Sequence, residues 1–156
     1  SIVAQLNMDM VGRGAASDVT GTNRAGAQLH GGPGYVQLVG SRRLSTELGD
    51  IVEAVNTEKK FGLRFDYSMD ANGHPQEIYC RSDHYEYARF GIPIVFFTTG
   101  GHADYHQVTD EPQYVDYGRM ELVDQLVFET ALRVANLEHR VTVDKPKPDP
   151  KAACRQ

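Results

Sequence analysis

The sequence predicts an α/β fold, a three-layer sandwich whose sheet is mixed but largely parallel. Three observations lead there. Short apolar, β-favouring runs recur at "SIVAQL", "YVQLV" and "IPIVFFT". The stretches between and after them carry apolar residues at helical spacing, and strands alternating with helices imply crossover connections. Two of the apolar runs end in acidic or histidine-rich residues, at the strand ends where such sheets bind their ligands.

Each element has its own reason. "SIVAQLNMDMVG" begins as a buried strand and turns polar at Asn7 and Asp9 before Gly12, so this strand ends on a carboxylate. Residues 13–34, rich in Gly, Ala, Ser, Thr and Asn, read as a long loop or a broken hairpin. "YVQLVG" is a short strand. Ser45 or Thr46 can cap a helix that sets Leu48, Ile51, Val52 and Val55 on one face. Lys59 and Lys60 suit the negative end of its dipole, and Gly62 can terminate it. "LRFDYSM" alternates as a strand does, and "DANGHP" is a turn signal. "SDHYEYARFGIP" reads as a helix with Ser82 as N-cap and Asp83 in its first turn, stopped by Gly91 and Pro93. "IPIVFFT" is a buried strand. The last helix starts near Asp116 and places Met120, Val123, Val127, Ala131 and Val134 on one side. Closely spaced prolines then forbid helix. The chain therefore divides into a domain over 1–143 and a Pro-rich, disordered tail over 144–156.

Composition bounds the function. With 156 residues, 40% hydrophobic and 24% charged, the chain can bury a real core. Its 21 acidic and 16 basic residues leave a net charge of −5, which argues against a nucleic-acid partner. No apolar run approaches the length of a membrane span. Cys80, beside Ile78 and Tyr79, and Cys154, in the tail, are expected as free thiols, with a disulfide between them as the alternative. The chain opens inside a strand-like run without an initiator Met, which points to a piece of a longer protein.

"GGHADYHQVTD" packs His102, Asp104, His106 and Asp110 into the turn after the most apolar run. A solvated loop, a general acid–base site and a metal edge all fit that composition. Asp9 raises the same question, because a carboxylate on a buried strand is costly unless backbone N–H groups or a metal hold it. The His102-x-Asp104 spacing is frequent by chance and receives no role.

The order of the motifs narrows the choice. "NMDMVGR" is followed by "YCRSDHYEYARFGIPIVFFTTGGHADYHQVTDEPQYVD". This resembles the zinc-dependent aminopeptidases of the M28 type and the related glutaminyl cyclases and carboxypeptidases. The shared pattern is N-x-D-M, then S-D-H with a following G-I-P strand, then Y-H-x-x-x-D, running from about Leu6 to the last helix. The resemblance implies a zinc-exopeptidase-like (phosphorylase/hydrolase-like) sandwich acting on a peptide substrate. It implies two zinc ions in the intact enzyme, which lower the pKa of a shared water and polarise the scissile carbonyl. It makes Asp9 a ligand of one zinc and His106 a ligand of the other. Tyr105, Asp83 and His84 would lie in or just behind the pocket, and Asp110 would orient His106.

The departures shape the expectation. In the family the other ligands (a His, a bridging Asp and a Glu) and the general-base Glu lie before the N-x-D-M strand. This chain has no Glu-Glu pair, and it reads Asp110-Glu111-Pro112 where Asp-Thr is more usual. The resemblance thus implies the C-terminal portion of a peptidase, partnered by a missing N-terminal half and inactive alone. Two rival readings are a glutaminyl-cyclase-like acyltransferase and a non-catalytic, receptor-like homologue acting in binding. A periplasmic or secreted location follows from the resemblance alone.

Overall fold

A central sheet separates two layers of different character. The computed structural model describes residues 2–14, 20–22 and 24–156. In chain order the elements are β1 (Gln5–Met8), β2 (Thr20–Thr22), β3 (Gln28–His30), β4 (Tyr35–Val39), α1 (Thr46–Glu58), β5 (Arg64–Asp66), α2 (Tyr85–Ala88), β6 (Ile94–Thr98) and α3 (Tyr117–Ala135). Among the described residues the main sheet runs β1-β6-β4-β5, and β2 and β3 form a separate antiparallel pair. The outer pairs, β1–β6 and β4–β5, are parallel, while β4–β6 is antiparallel. This is the expected mixed α/β sheet. The hairpin reading of 13–34 corresponds to β2 and β3, whereas residues 15–19 and 23 lie outside the described residues.

Strand alternation sends the core to both faces. On one face Val36, Leu38, Val95 and Phe97 pack against Leu48, Val52 and Val55 of α1 and Val123, Leu126 and Val127 of α3. Fully burying such side chains contributes roughly 1.5–3 kcal/mol each. The first helix begins as expected, with the Ser45 hydroxyl accepting the Leu48 amide at 3.0 Å. Asn56 brackets the exit by bonding both the N–H and the C=O of Leu63. The last helix is capped by Asp116, which accepts from the Arg119 amide at 3.0 Å. Its buried stripe is Arg119, Val123, Leu126, Val127 and Thr130, and Ala131, expected on that stripe, is exposed. The sheet meets the helix one step round from the side that aliphatic spacing picks out, because Arg119 and Thr130 are buried there despite their polarity.

The opposite face holds Val39, Leu44, Tyr79, Ala88, Ile94 and Phe96 beneath short helical turns. Here three expectations are corrected. The helix expected from Ser82 shrinks to Tyr85–Ala88, and Ser82 does not cap it, because its hydroxyl is engaged by Asn7 and Asp9. Cys80 and Cys154, expected as free thiols, are joined in a disulfide. The segment 144–156, expected as a disordered tail, is described throughout and crosses this face. Pro150 accepts from Arg89, and Gln156 bonds the Tyr79 amide and the carbonyls of Met69 and Ala71. Gly40 shows how closely this layer approaches the sheet. It has φ +76°, and a Cβ there would collide with Ile94 and press on Tyr79.

Candidate active site

The site is built where β1 and β6 end side by side. Their parallel register pairs Met8 with Phe97, so Asp9 emerges next to Thr98, and the Asp9 amide donates to the Phe97 carbonyl at 3.3 Å. At Met10 the backbone turns to φ 58°, ending the strand and leaving the exposed Asp9 at its tip. A donor relay then fixes the carboxylate. The Asn7 amide donates to Ser82 Oγ at 3.0 Å, and Ser82 Oγ donates to Asp9 Oδ2 at 2.9 Å. Oδ1 has no hydrogen-bond partner among the described residues. The expectation weighed for this carboxylate, backbone N–H bonds alone, gives way to a hydroxyl.

Asp9 lines a cleft of about 280 Å³ together with Gln37, Arg81, Ser82, Phe96 and Tyr105. The structure thus brings Asp9 and Tyr105 to one cavity. His106, the next residue, is exposed, and its ring stacks on Tyr105 with centroids 3.8 Å apart. Among the described residues no hydrogen bond or ion pair links His106 to Asp9. His106 occupies the left-handed region at φ 59°, in a turn closed by the Gln107 amide on the Asp104 carbonyl at 2.8 Å.

His84 and Asp83 differ sharply. His84 is fully buried one layer behind the cleft, stacked on Phe96 at 4.7 Å with Nε2 2.6 Å from the Tyr79 carbonyl. That contact requires Nε2 to carry the proton, so the buried Nδ1 is an acceptor, and it has no partner. Burial pushes the imidazole pKa down to about 4, against the opposing pull of the Tyr79 carbonyl and of Asp83 and Asp9. Asp83 is exposed, with its carbonyl accepting the Glu86 amide. Asp110, expected to orient His106, instead accepts from Arg13 at 2.9 Å and lies 3.9 Å from His102 Nε2.

Three residues of the site went unassigned in the sequence, although all lie inside the quoted motifs. Asn7 and Ser82 hold Asp9, and Arg13 holds the histidine loop. Arg13 donates to Asp104 at 2.7 Å as well as to Asp110. Asp104 therefore has a role the H-x-D spacing could not supply. The Thr109 hydroxyl first, and Arg13 second, hold its carboxyl below the usual carboxylate range.

Among the described residues no group of three or more His, Cys, Asp or Glu side chains converges as a metal ion requires. The side chains described do not by themselves compose a zinc site.

An α/β sheet with a cleft at the ends of adjacent parallel strands, lined by a fixed carboxylate and bordered by a histidine loop, gathers polar groups where such sheets bind their ligands. Residues 1–131 match the model of Peptidase family M28, and the chain belongs to that family of peptidases. No curated protein and no solved structure matches it. Among the described residues no helix is long and apolar enough to cross a membrane.

Proposed function

We propose that this chain is part of a zinc-dependent exopeptidase, an aminopeptidase, to which it contributes Asp9 as a ligand of one zinc and His106 as a ligand of the other. The observation that carries the reading is Asp9 itself. An exposed carboxylate is held at a strand tip by a dedicated hydroxyl and turned into a cleft that Tyr105, beside His106, also lines. A carboxylate with one oxygen fixed and the other unpartnered is preorganised to ligate a cation. In this reading the motifs of this chain supply one ligand to each zinc and no general base, and no turnover is expected from the chain alone. Tyr105 borders the substrate pocket, and His84 supports it from behind through Phe96. The Cys80–Cys154 disulfide favours an exported, periplasmic or secreted protein, since oxidising compartments preserve such bonds.

Zinc titration by calorimetry tests the assignment. Binding by the chain is expected to be far weaker than at a complete site, to weaken further in His106→Ala, and to be indifferent to His102→Ala. The reverse pattern would move the site to His102 and Asp104. On aminoacyl-nitroanilides with added zinc the chain is expected to show no turnover. Robust chelator-sensitive hydrolysis would end the reading of a partial site.

A further inference from the structure

We propose that Arg13 is a positioning residue, whose guanidinium locks the loop bearing His106 to the strand end bearing Asp9. The role rests on the reading of those two side chains as the site's donors. Arg13 lies four residues after Asp9, and its two terminal nitrogens reach separate carboxylates on either side of His106. Nη2 meets Asp104 at 2.7 Å and Nη1 meets Asp110 at 2.9 Å. The guanidinium also lies 5.1 Å from the centre of the Tyr114 ring.

Isolated surface ion pairs contribute little, because two mobile chains must be ordered in water. Arg13 differs in its foundation. Three consecutive carbonyls around it are each held. Gly12 O accepts the Asp116 amide at 2.8 Å, Arg13 O accepts the Thr99 hydroxyl, and Gly14 O accepts Arg119 Nη1 at 2.6 Å. Gly14 itself, at φ +125°, has no room for a Cβ against the Thr99 carbonyl. The guanidinium therefore projects from a fixed platform, and its fork spans both carboxylates, which a lysine point charge cannot do.

The loop needs such a brace. His106 sits at φ 59°, a region that non-glycine residues leave unless their surroundings hold them there. Asp104 ties down one side of that turn, with its other oxygen accepting the Thr109 hydroxyl at 2.6 Å, and Asp110 ties down the other. Both ties converge on Arg13. Because Asp9 and Arg13 belong to one short, pinned segment, fixing the loop to Arg13 sets the position of His106 relative to Asp9.

The test uses the whole chain and four variants: Arg13→Gln, Arg13→Lys, the double change Asp104→Asn with Asp110→Asn, and that double change combined with Arg13→Gln. Amide exchange at 102–110 and the His106 ring-proton resonances, shifted by the Tyr105 stack, are followed together. Arg13→Gln is expected to speed loop exchange about three- to tenfold, with α1 and α3 unchanged, and to move the His106 resonances toward unstacked values. Arg13→Lys restores the charge and is expected to restore neither signal fully. The double variant should reproduce Arg13→Gln, and adding Arg13→Gln to it should change nothing further. Unaltered loop exchange and unaltered His106 resonances in Arg13→Gln would overturn the proposal. If that variant loses protection in α1 and α3 as well, the double variant decides alone, by the same two signals. Loss of the zinc assignment, read from His106→Ala titrations, would leave this brace standing as a loop anchor. The two failures are therefore separable.

Discussion

The two faces of the sheet are built by different physics. The face under α1 and α3 is aliphatic and periodic, and its contacts recur every three or four residues along each helix. The opposite face combines a buried histidine, aromatic rings and a disulfide under short turns. It also carries Arg43, which donates to Asp70 at 2.6 Å and lies 4.4 Å from the Tyr79 ring centre. The cleft lies on that second face. Short turns can place Ser82 against Asp9 and Phe96 against His84, whereas a long helix repeats one stripe. The price is that each such contact depends on partners distant in sequence.

The largest expected effect breaks the periodic face. Phe97→Ala opens a cavity beneath both helices and should destabilise by about 3–5 kcal/mol in urea denaturation. Cooperative loss of both faces is expected, since β6 is common to them. If the cleft side retained its hydrogen-exchange protection in that variant, the two faces would be independent units.

Next comes the irregular face. Removing the disulfide with Cys80→Ser should cost about 2–4 kcal/mol. The added exchange should concentrate in 76–84 and the tail, with α1 and α3 little changed until global unfolding. Equal stability with and without reductant would show that the tail is held by the Gln156 and Arg89 hydrogen bonds alone.

The same face should respond to pH through a buried imidazole that the aliphatic core lacks. His84 is neutral when folded, with its pKa lowered to about 4, and an unfolded histidine titrates near 6.5. Between those values the unfolded chain binds the extra proton, so this contribution is whole above about pH 6.5 and is lost as pH falls toward 4. The loss should approach about 3 kcal/mol at most. Denaturation at several pH values, compared with His84→Phe, isolates it. An unchanged pH slope in the variant would mean that other groups dominate.

The smallest effects sharpen the contrast. Ser45→Ala removes a helix cap, and Ser82→Ala removes the relay to Asp9. Each should cost about 1 kcal/mol in denaturation. Only Ser82→Ala should alter zinc titration, because only it frees the Asp9 carboxylate. An equal effect of both on zinc would divorce the relay from the site.

The helix-side fold was legible because its information is local. A cap at Ser45, aliphatic residues at helical spacing and a β-favouring run such as "IVFFT" each speak through neighbours a turn away. The motifs also placed Asp9, Tyr105 and His106 together at one edge of the sheet, as the cleft and the Tyr105–His106 stack have them. Their supports were not legible. Ser82 lies 75 residues from Asn7, Asp104 lies 91 from Arg13, and Cys154 lies 74 from Cys80. Ser82 satisfied the local rule for a helix cap, but the tertiary hydrogen bonds to Asp9 and Asn7 claimed its hydroxyl. Asp110 stood at a spacing suited to His106, yet the pinned backbone of Arg13 brought a guanidinium to it first. By itself the sequence determined the family, the strand and helix order, and the edge where chemistry is gathered, since these follow from short-range pattern and motif. Tertiary structure alone decided which polar groups pair across that edge. A buried or half-buried donor takes whichever acceptor the fold brings within about 3 Å, and no local spacing encodes that choice.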